Sequence, residues 1–436
     1  MVIGALESHT AGAYCAEARE PSLEISWNKA KRHPRQRARK KSIAIAMNLS
    51  ADWTRVETND TPSPRASAAI AFDEVRANVV LFGGFDVSQG GHSDTWIFDG
   101  ADWTEADPPS RPSDRATNNL CWCPRSERLV LVTGVRFSRT GGHNPLTGEP
   151  AWSKQNLCDT WIFDGENWQE LRRSQYPNYV HQAMATDLQS GHVIVSGGIA
   201  AGPKTLIGVF LLRDRRESPL VDDTWIFNGE NWLELDLKAR PSHRQFAAMS
   251  SCPDERGVLL FGGHGGEGRP QHLGNTWIFD GENWQEIHPP ISPSPRSKAM
   301  LAHDRLSGTV ILFGGHGGEG RPQHLGDTWI FDGENWQEIH PPISPSPRSK
   351  AMLAHDRLSG TVILFGGHGG EGKPQHLGDT WIFDGENWQE IHPPISPSPR
   401  QGACITYDSM KGQIVLFGGK DANGCLNDTW ILNLSG

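Results

Sequence analysis

Arginine recurs at 65, 115, 244, 296, 348 and 400, usually inside a Pro-Ser-Pro-Arg turn or a variant of it. A guanidinium presents donors in a planar fork that matches carboxylate and phosphate. Arg65, Arg115, Arg244, Arg296, Arg348 and Arg400 arranged around one opening would gather an anion or an acidic peptide. The same groups would equally serve to pair, each in its own place, with an acid or a carbonyl of an adjoining unit. Val180 breaks the series. A second set of chemistry-bearing residues lies in a Gly-rich stretch, His264-Gly-Gly-Glu267-Gly-Arg269-Pro-Gln-His272, repeated at 316–324 and, with Lys373 for the arginine, at 368–376. Histidine and glutamate are metal ligands, but each stretch supplies only two imidazoles on flexible spacing, so no metal and no cofactor is expected. Cysteines 15, 121, 123, 158, 252, 404 and 425 are odd in number and irregularly placed, which reads as free thiols and not as a disulfide framework.

The elements that position these residues follow from self-similarity. The tripeptide Asp/Asn-Thr-Trp begins at 94, 159, 223, 275, 327, 379 and 428, at intervals of 65, 64, 52, 52, 52 and 49 residues. A Gly-Gly pair closes an apolar run before six of the seven copies, and Thr133-Gly134 replaces it once. Each unit parses into four short strands, as in 245–251, 257–263, 276–280 and 283–287. The first is rich in small residues, the second is apolar throughout and suited to burial on both faces, and Asp280-Gly281 makes the third and fourth a hairpin. Six units carry one Trp on strand three and one on strand four, broad surfaces to bury between neighbours. After Trp430 the last unit lacks a fourth strand, and Ala51-Asp52-Trp53-Thr54 matches the missing pattern. The expectation is an all-β chain, a seven-bladed β-propeller of four-stranded blades, sealed by the N-terminal strand with Trp53 partnering Trp430.

The double glycine after an apolar strand, followed by the spaced Trp pair, resembles the Kelch family over residues 51–436. The resemblance implies the propeller and leaves function open among protein-binding adaptors, sugar epimerases and copper radical oxidases. A radical oxidase would need tyrosine ligands and a Tyr-Cys crosslink, and this chain has four tyrosines, at 14, 176, 179 and 407. An epimerase would need a tuned acid/base pair at the channel mouth, and no unrepeated cluster of that kind stands out in the sequence.

Asymmetry is more informative than repetition, because units 264–315 and 316–367 differ only at Asn275 against Asp327. The connections 135–158 and 199–222 are each about a dozen residues longer than the common loop, and should project side by side from the face that carries the strand-two-to-three loops. The first holds Trp152. The second runs Thr205-Leu-Ile-Gly-Val-Phe210-Leu211-Leu and then Arg213-Asp-Arg215-Arg216. An apolar run followed by basic residues has the make-up of a partner-binding patch, or of a strand folded back over the channel.

Residues 1–46 carry nine Lys/Arg against four Asp/Glu, leaving the rest at −15. The basic stretch reads as a solvated tail, or as sequence upstream of a start at Met47, ahead of a propeller spanning 47–436. The acidic body argues against nucleic-acid binding. No apolar run suits a membrane helix or signal peptide, so a monomer in the cytoplasm is expected. The function expected is non-catalytic binding of a protein, or of a glycan, on the loop-rich face; the alternative is a sugar-epimerase-like enzyme at the channel mouth.

Overall fold

The computed structural model describes residues 50–116, 119–143, 150–171, 177, 179–200, 220–253, 257–267, 271–318, 323–369 and 375–435. The basic tail 1–46 with its Met47 alternative, and Phe210, Leu211, Arg213, Arg215 and Arg216, lie outside the described residues. Every regular element among those described is a strand, and residues Asn48–Gly436 form one compact unit.

The chain builds mainly four-stranded antiparallel sheets, most of them from strands close together in sequence. In one of them Ala248–Ser251 pairs with Val258–Phe261, which pairs with Thr276–Phe279, which pairs with Trp284–Ile287. Strand two is buried at every position, as its unbroken apolar run requires. Strands three and four are joined across Asp280-Gly281: the Asp280 carboxylate accepts the backbone N–H groups of Glu282 and Asn283 at 2.9 and 2.8 Å, and Gly281 takes φ +98°. Strand one begins later than the sequence suggests. Phe246 adopts φ +54°, and this left-handed residue splits off Arg244–Gln245, which pairs instead with His264–Gly265.

The double glycine is explained by how closely the next sheet approaches. A Cβ on Gly262 would stand 2.5 Å from the carbonyl oxygen of Arg296, and the Gly263 N–H donates to that same oxygen at 2.8 Å. Only glycine admits a neighbouring backbone at that range with φ above zero.

The cores lie between sheets. Phe72, Leu81, Trp96, Phe98 and Trp103 pack with Val415, Phe417 and Ile431 of the last sheet. The strand-four tryptophans also reach across the gap: Trp103 Nε1 donates to Thr429 Oγ1 at 2.8 Å, and Trp168 Nε1 to Thr95 Oγ1 at 2.8 Å. In both cases the acceptor is the threonine of an Asp-Thr-Trp motif, so the motif's middle residue is a buried receptor for the neighbour's indole.

Strand Ser50–Val56 pairs antiparallel with Cys425–Ser435, completing a sheet with Gln413–Lys420 and Cys404–Asp408. Trp53 stands opposite Leu432 and Arg55 opposite Trp430. In the other sheets the strand-four Trp faces a Phe, as Trp103 does Phe98. Trp53 and Trp430 therefore share a core cluster without being directly opposed.

Candidate functional site

The six arginines do not line an opening. Arg65, Arg115, Arg244, Arg296, Arg348 and Arg400 are at most 1% exposed, and each guanidinium is bonded inside its own unit, through five bonds except at Arg244, where Asn275 leaves one fewer. Arg296 is representative: its two terminal nitrogens donate to the two carboxylate oxygens of Asp327 at 2.6 Å, and it also bonds the Gly314 carbonyl, the Ser294 carbonyl and the Ser294 hydroxyl. Asp327 in turn accepts the Trp329 indole N–H at 2.7 Å. Burial opposes the charge on Asp327, but the Arg296 fork, its positive charge and the indole N–H outweigh it, so the carboxyl lies below its usual range. These arginines are clamps between the turn, strand two and strand three. A buried, fully bonded guanidinium has no donor left for a ligand, which removes the anion-gathering reading.

The seventh position is also filled. Strand Tyr179–Val180 pairs with Ile199–Ala200 as Arg244–Gln245 pairs with His264–Gly265, so the counterpart of the arginine is Tyr179, one residue before Val180. Its hydroxyl bonds the Asp223 carboxylate, and burial together with that charge pushes the phenol pKa up.

Two residues beyond the clamp position, the chain turns through φ 55° at Ser67, 61° at His181, 54° at Phe246, and 56° at both Lys298 and Lys350. Backbone bonds link successive members: Phe246 N–H to the His181 carbonyl, Lys298 N–H to that of Phe246, and Ser67 N–H to that of Gly402. His181 stacks on Phe246 at 4.5 Å, and the Lys298 ammonium sits 4.7 Å over the same ring. Lys298 and Lys350 are exposed, and among the described residues neither has a carboxylate partner. Burial, and then the charge of Lys350, lowers the Lys298 pKa. Non-glycine residues at positive φ concentrate where side chains are held for a purpose, and this rim escaped sequence reasoning because nothing in one sequence marks a left-handed lysine.

The connection containing Trp152 is a two-stranded arm, Arg128–His143 against Pro150–Phe163. Trp152 is half-buried: its ring meets Phe85 edge-on at 5.2 Å and covers Gly90, while Arg136 of the same arm pairs with Asp114 at 2.8 Å. Trp152 thus anchors the arm to the preceding loop.

At the opposite ends of the strands, the turns leaving strand one line an open cavity of about 340 Å3 with mixed polar and apolar walls. Glu74, Trp122, Arg305, His355, Arg357 and Tyr407 are among its walls. Glu74 accepts from Arg357 at 2.8 Å and from the Ser409 hydroxyl, and His355 Nε2 bonds Asp304 at 3.0 Å. Burial and the neighbouring Asp356 raise the Tyr407 pKa. The sequence hides this cluster, because these residues come from five different units.

Among the described residues, no three His, Cys, Asp or Glu side chains already converge on one point suited to a metal ion. No helix among them is long and apolar enough to cross a membrane.

Residues 213–391 match the family model for the KLHDC2/KLHL20/DRC7 Kelch-repeats domain. Putative adagio-like protein 2 of Oryza sativa subsp. japonica is 31% identical over 47% of this chain and 33% of its own length. tRNA wybutosine-synthesizing protein 4 of Emericella nidulans is 28% identical over 41% of this chain and 18% of its own. The chain therefore spans a third or less of these relatives. A solved structure titled Structure of YjhT aligns with TM-score 0.49 and 15% identity over 77% of this chain and 99% of that one. With the Gly-Gly and Asp/Asn-Thr-Trp signature placed on antiparallel four-stranded sheets, residues 213–391 match a Kelch-repeats domain and the remaining units are similar to it.

Proposed function

We propose that the chain is a closed seven-bladed ring that binds a protein partner through an acidic segment seated on the loop-rich face, beside Lys298 and Lys350. Three sets of contacts support the ring. Strand Ser50–Val56 lies in the last sheet. The innermost strands touch in an order that returns to its start: Ala69–Asp73, Asn119–Cys123, Ala183–Thr186, Ala248–Ser251, Met300–Asp304, Met352–His355, Cys404–Asp408, and Ala69–Asp73 again. The indole-to-threonine bonds run the same circuit, with Trp53 donating to Thr380 at 2.9 Å and Trp103 to Thr429 at 2.8 Å.

The binding reading rests on the pair of exposed lysines at the rim, without carboxylate partners among the described residues and next to Phe246, on a body of net charge −15. Uncompensated like charges held together are favourable only toward an incoming anion. Connection 199–222, with Phe210, Leu211, Arg213, Arg215 and Arg216, links strands two and three of its sheet in the sequence, and in this reading it extends the docking surface. Kelch repeats commonly mediate protein–protein interaction.

The test uses a fluorescein-labelled ten-residue Glu-rich peptide in an anisotropy titration. Reversing both charges, Lys298→Glu with Lys350→Glu, is expected to weaken binding by about tenfold, roughly 1.4 kcal/mol for the two charges. Equal affinity in both proteins would sink the proposal. Deleting 205–216 is expected to reduce binding while melting stays cooperative.

A second reading is favoured by the cavity of about 340 Å3 at the other mouth, whose Trp122 face, arginines and Glu74 suit a small polar ligand such as a sugar. Glu74 is held there by Arg357 and Ser409, which fits a binding pocket better than a proton-transferring centre. A sugar panel read by thermal shift separates the readings, because a ligand bound only to the native state raises the melting temperature.

A further inference from the structure

The repeated His-Gly-Gly-Glu stretches come together in a way that no single unit reveals. In each of three consecutive sheets the stretch forms a hairpin that sets two histidines directly opposite one another: His264 and His272, His316 and His324, His368 and His376. The hairpins stand side by side, so the rings continue from one sheet to the next. Successive ring centres are 5.3, 5.6, 5.6, 5.5 and 6.2 Å apart along His264, His272, His316, His324, His368 and His376.

This spacing has a chemical meaning. Two imidazoles sharing one tetrahedral ion at Zn–N distances of about 2.0–2.1 Å have ring centres about 5–5.5 Å apart. Opposed positions on an antiparallel ladder carry Cβ atoms at about 4.5–5.5 Å, close enough for both rings to reach one ion from a rigid scaffold. His272 and His324 occupy equivalent places, each flanked by two further imidazoles, and the Nδ1 atom of each is shielded from solvent with no hydrogen-bond partner. A secluded polar atom without a partner in a native fold calls for a water or an ion.

We propose that this imidazole row is a binding site for a borderline divalent transition metal such as Zn2+ or Ni2+, with two centres on opposed pairs of the ladder: one at His264 and His272, the other at His316 and His324. Each centre is open, completed by water. The choice of metal follows from the donors, since imidazole suits zinc and nickel whereas a hard cation such as Mg2+ prefers oxygen ligands. Lys298 and Lys350 act on the same rings and oppose an incoming cation, which limits the affinity.

The experiment is a calorimetric titration of the full, untagged chain, stripped with a chelator, using ZnCl2, NiCl2 and MgCl2 in turn. The expected result is saturable binding of about two Zn2+ or Ni2+ with micromolar dissociation constants, and much weaker binding of Mg2+. His272→Gln with His324→Gln is expected to weaken Zn2+ binding by about 10–100-fold, the scale on which metal affinity responds to loss of supporting groups. His316→Gln, which removes one ring of the second centre, gives a second and milder variant with the same direction of change. The exposed His288, His340 and His392, 78–79% accessible and outside the row, serve as the control: changing all three to Gln leaves binding intact. Absence of Zn2+ binding up to 100-fold above the micromolar range, equal binding of Mg2+, or undiminished binding in the His272/His324 variant overturns the proposal.

Discussion

Replacing Asp327 with asparagine is expected to lower the melting temperature by about 3 °C, and replacing Asn275 with aspartate to raise it by a similar amount. The two positions are the one difference between otherwise identical units 264–315 and 316–367, so the protein already contains both states of one clamp. With Asp327, Arg296 makes two carboxylate bonds and the Trp329 indole has an acceptor. With Asn275, Arg244 keeps one bond at 2.8 Å and the Trp277 indole N–H has no partner. Burial without a carboxylate brings the Arg244 pKa down to about 10, so the guanidinium stays charged at neutral pH and a carboxylate placed beside it would be ionised.

Losing a charge-assisted bond and stranding a buried N–H costs about 2–3 kcal/mol. For a cooperative unit of this size the unfolding entropy is about 0.8 kcal/mol per kelvin, which gives the stated shift. The pH dependence has a definite sign. The folded pKa of Asp327 lies below its unfolded value, so its contribution is present above the ordinary carboxylate pKa of about 3.9 and fades as pH falls through the depressed folded value. Wild type and Asp327→Asn should differ by a constant amount from pH 5 to 8 and converge in more acidic solution. Scanning calorimetry across that range checks both points, and an unchanged melting temperature in both variants would remove the clamp as a stabilising device.

The larger effect belongs to the strand at the seam. A chain truncated to begin at Glu57 loses Trp53, only 2% exposed, the indole bond to Thr380, and the backbone ladder along Cys425–Ser435. Removal of a buried Trp side chain alone costs about 3–5 kcal/mol. The strand's loss also opens an edge of unpaired N–H and C=O groups ready to pair with another chain. The truncated protein is expected to lose the native cooperative transition and to associate in proportion to concentration. A synthetic peptide of residues 48–56 should restore the transition in part by adding itself as a strand. Light scattering and circular dichroism follow these outcomes; a truncated monomer melting at the full-length temperature would contradict the sealed ring.

Much of the architecture was readable because it is written in spacing. Asp280-Gly281 and the apolar run before Gly262-Gly263 each leave a local signature, and local signatures survive in one dimension. The site was less readable for the opposite reason. The Arg296 fork and the Asp327 carboxylate are 31 residues apart, so the guanidinium looked available to a ligand when it was already enclosed. A usable clue was nonetheless present, since nearly every unit carries one such arginine and one Asp or Asn ahead of Thr-Trp. The role of Tyr179 was masked by a shift of one position, and the imidazole row by its assembly from three separate units. Lys298 and Lys350 are distinguished only by a backbone angle.

That backbone angle reaches further than the lysines. One left-handed geometry accommodates serine at 67, histidine at 181, phenylalanine at 246 and lysine at 298 and 350, so the scaffold holds its shape there without regard to side-chain identity. Because stability comes from the enclosed Arg, Asp, Trp and Thr groups, the rim residues are free to mutate one at a time. A lineage carrying this fold can therefore change the chemistry of this rim without first destabilising the protein beneath it.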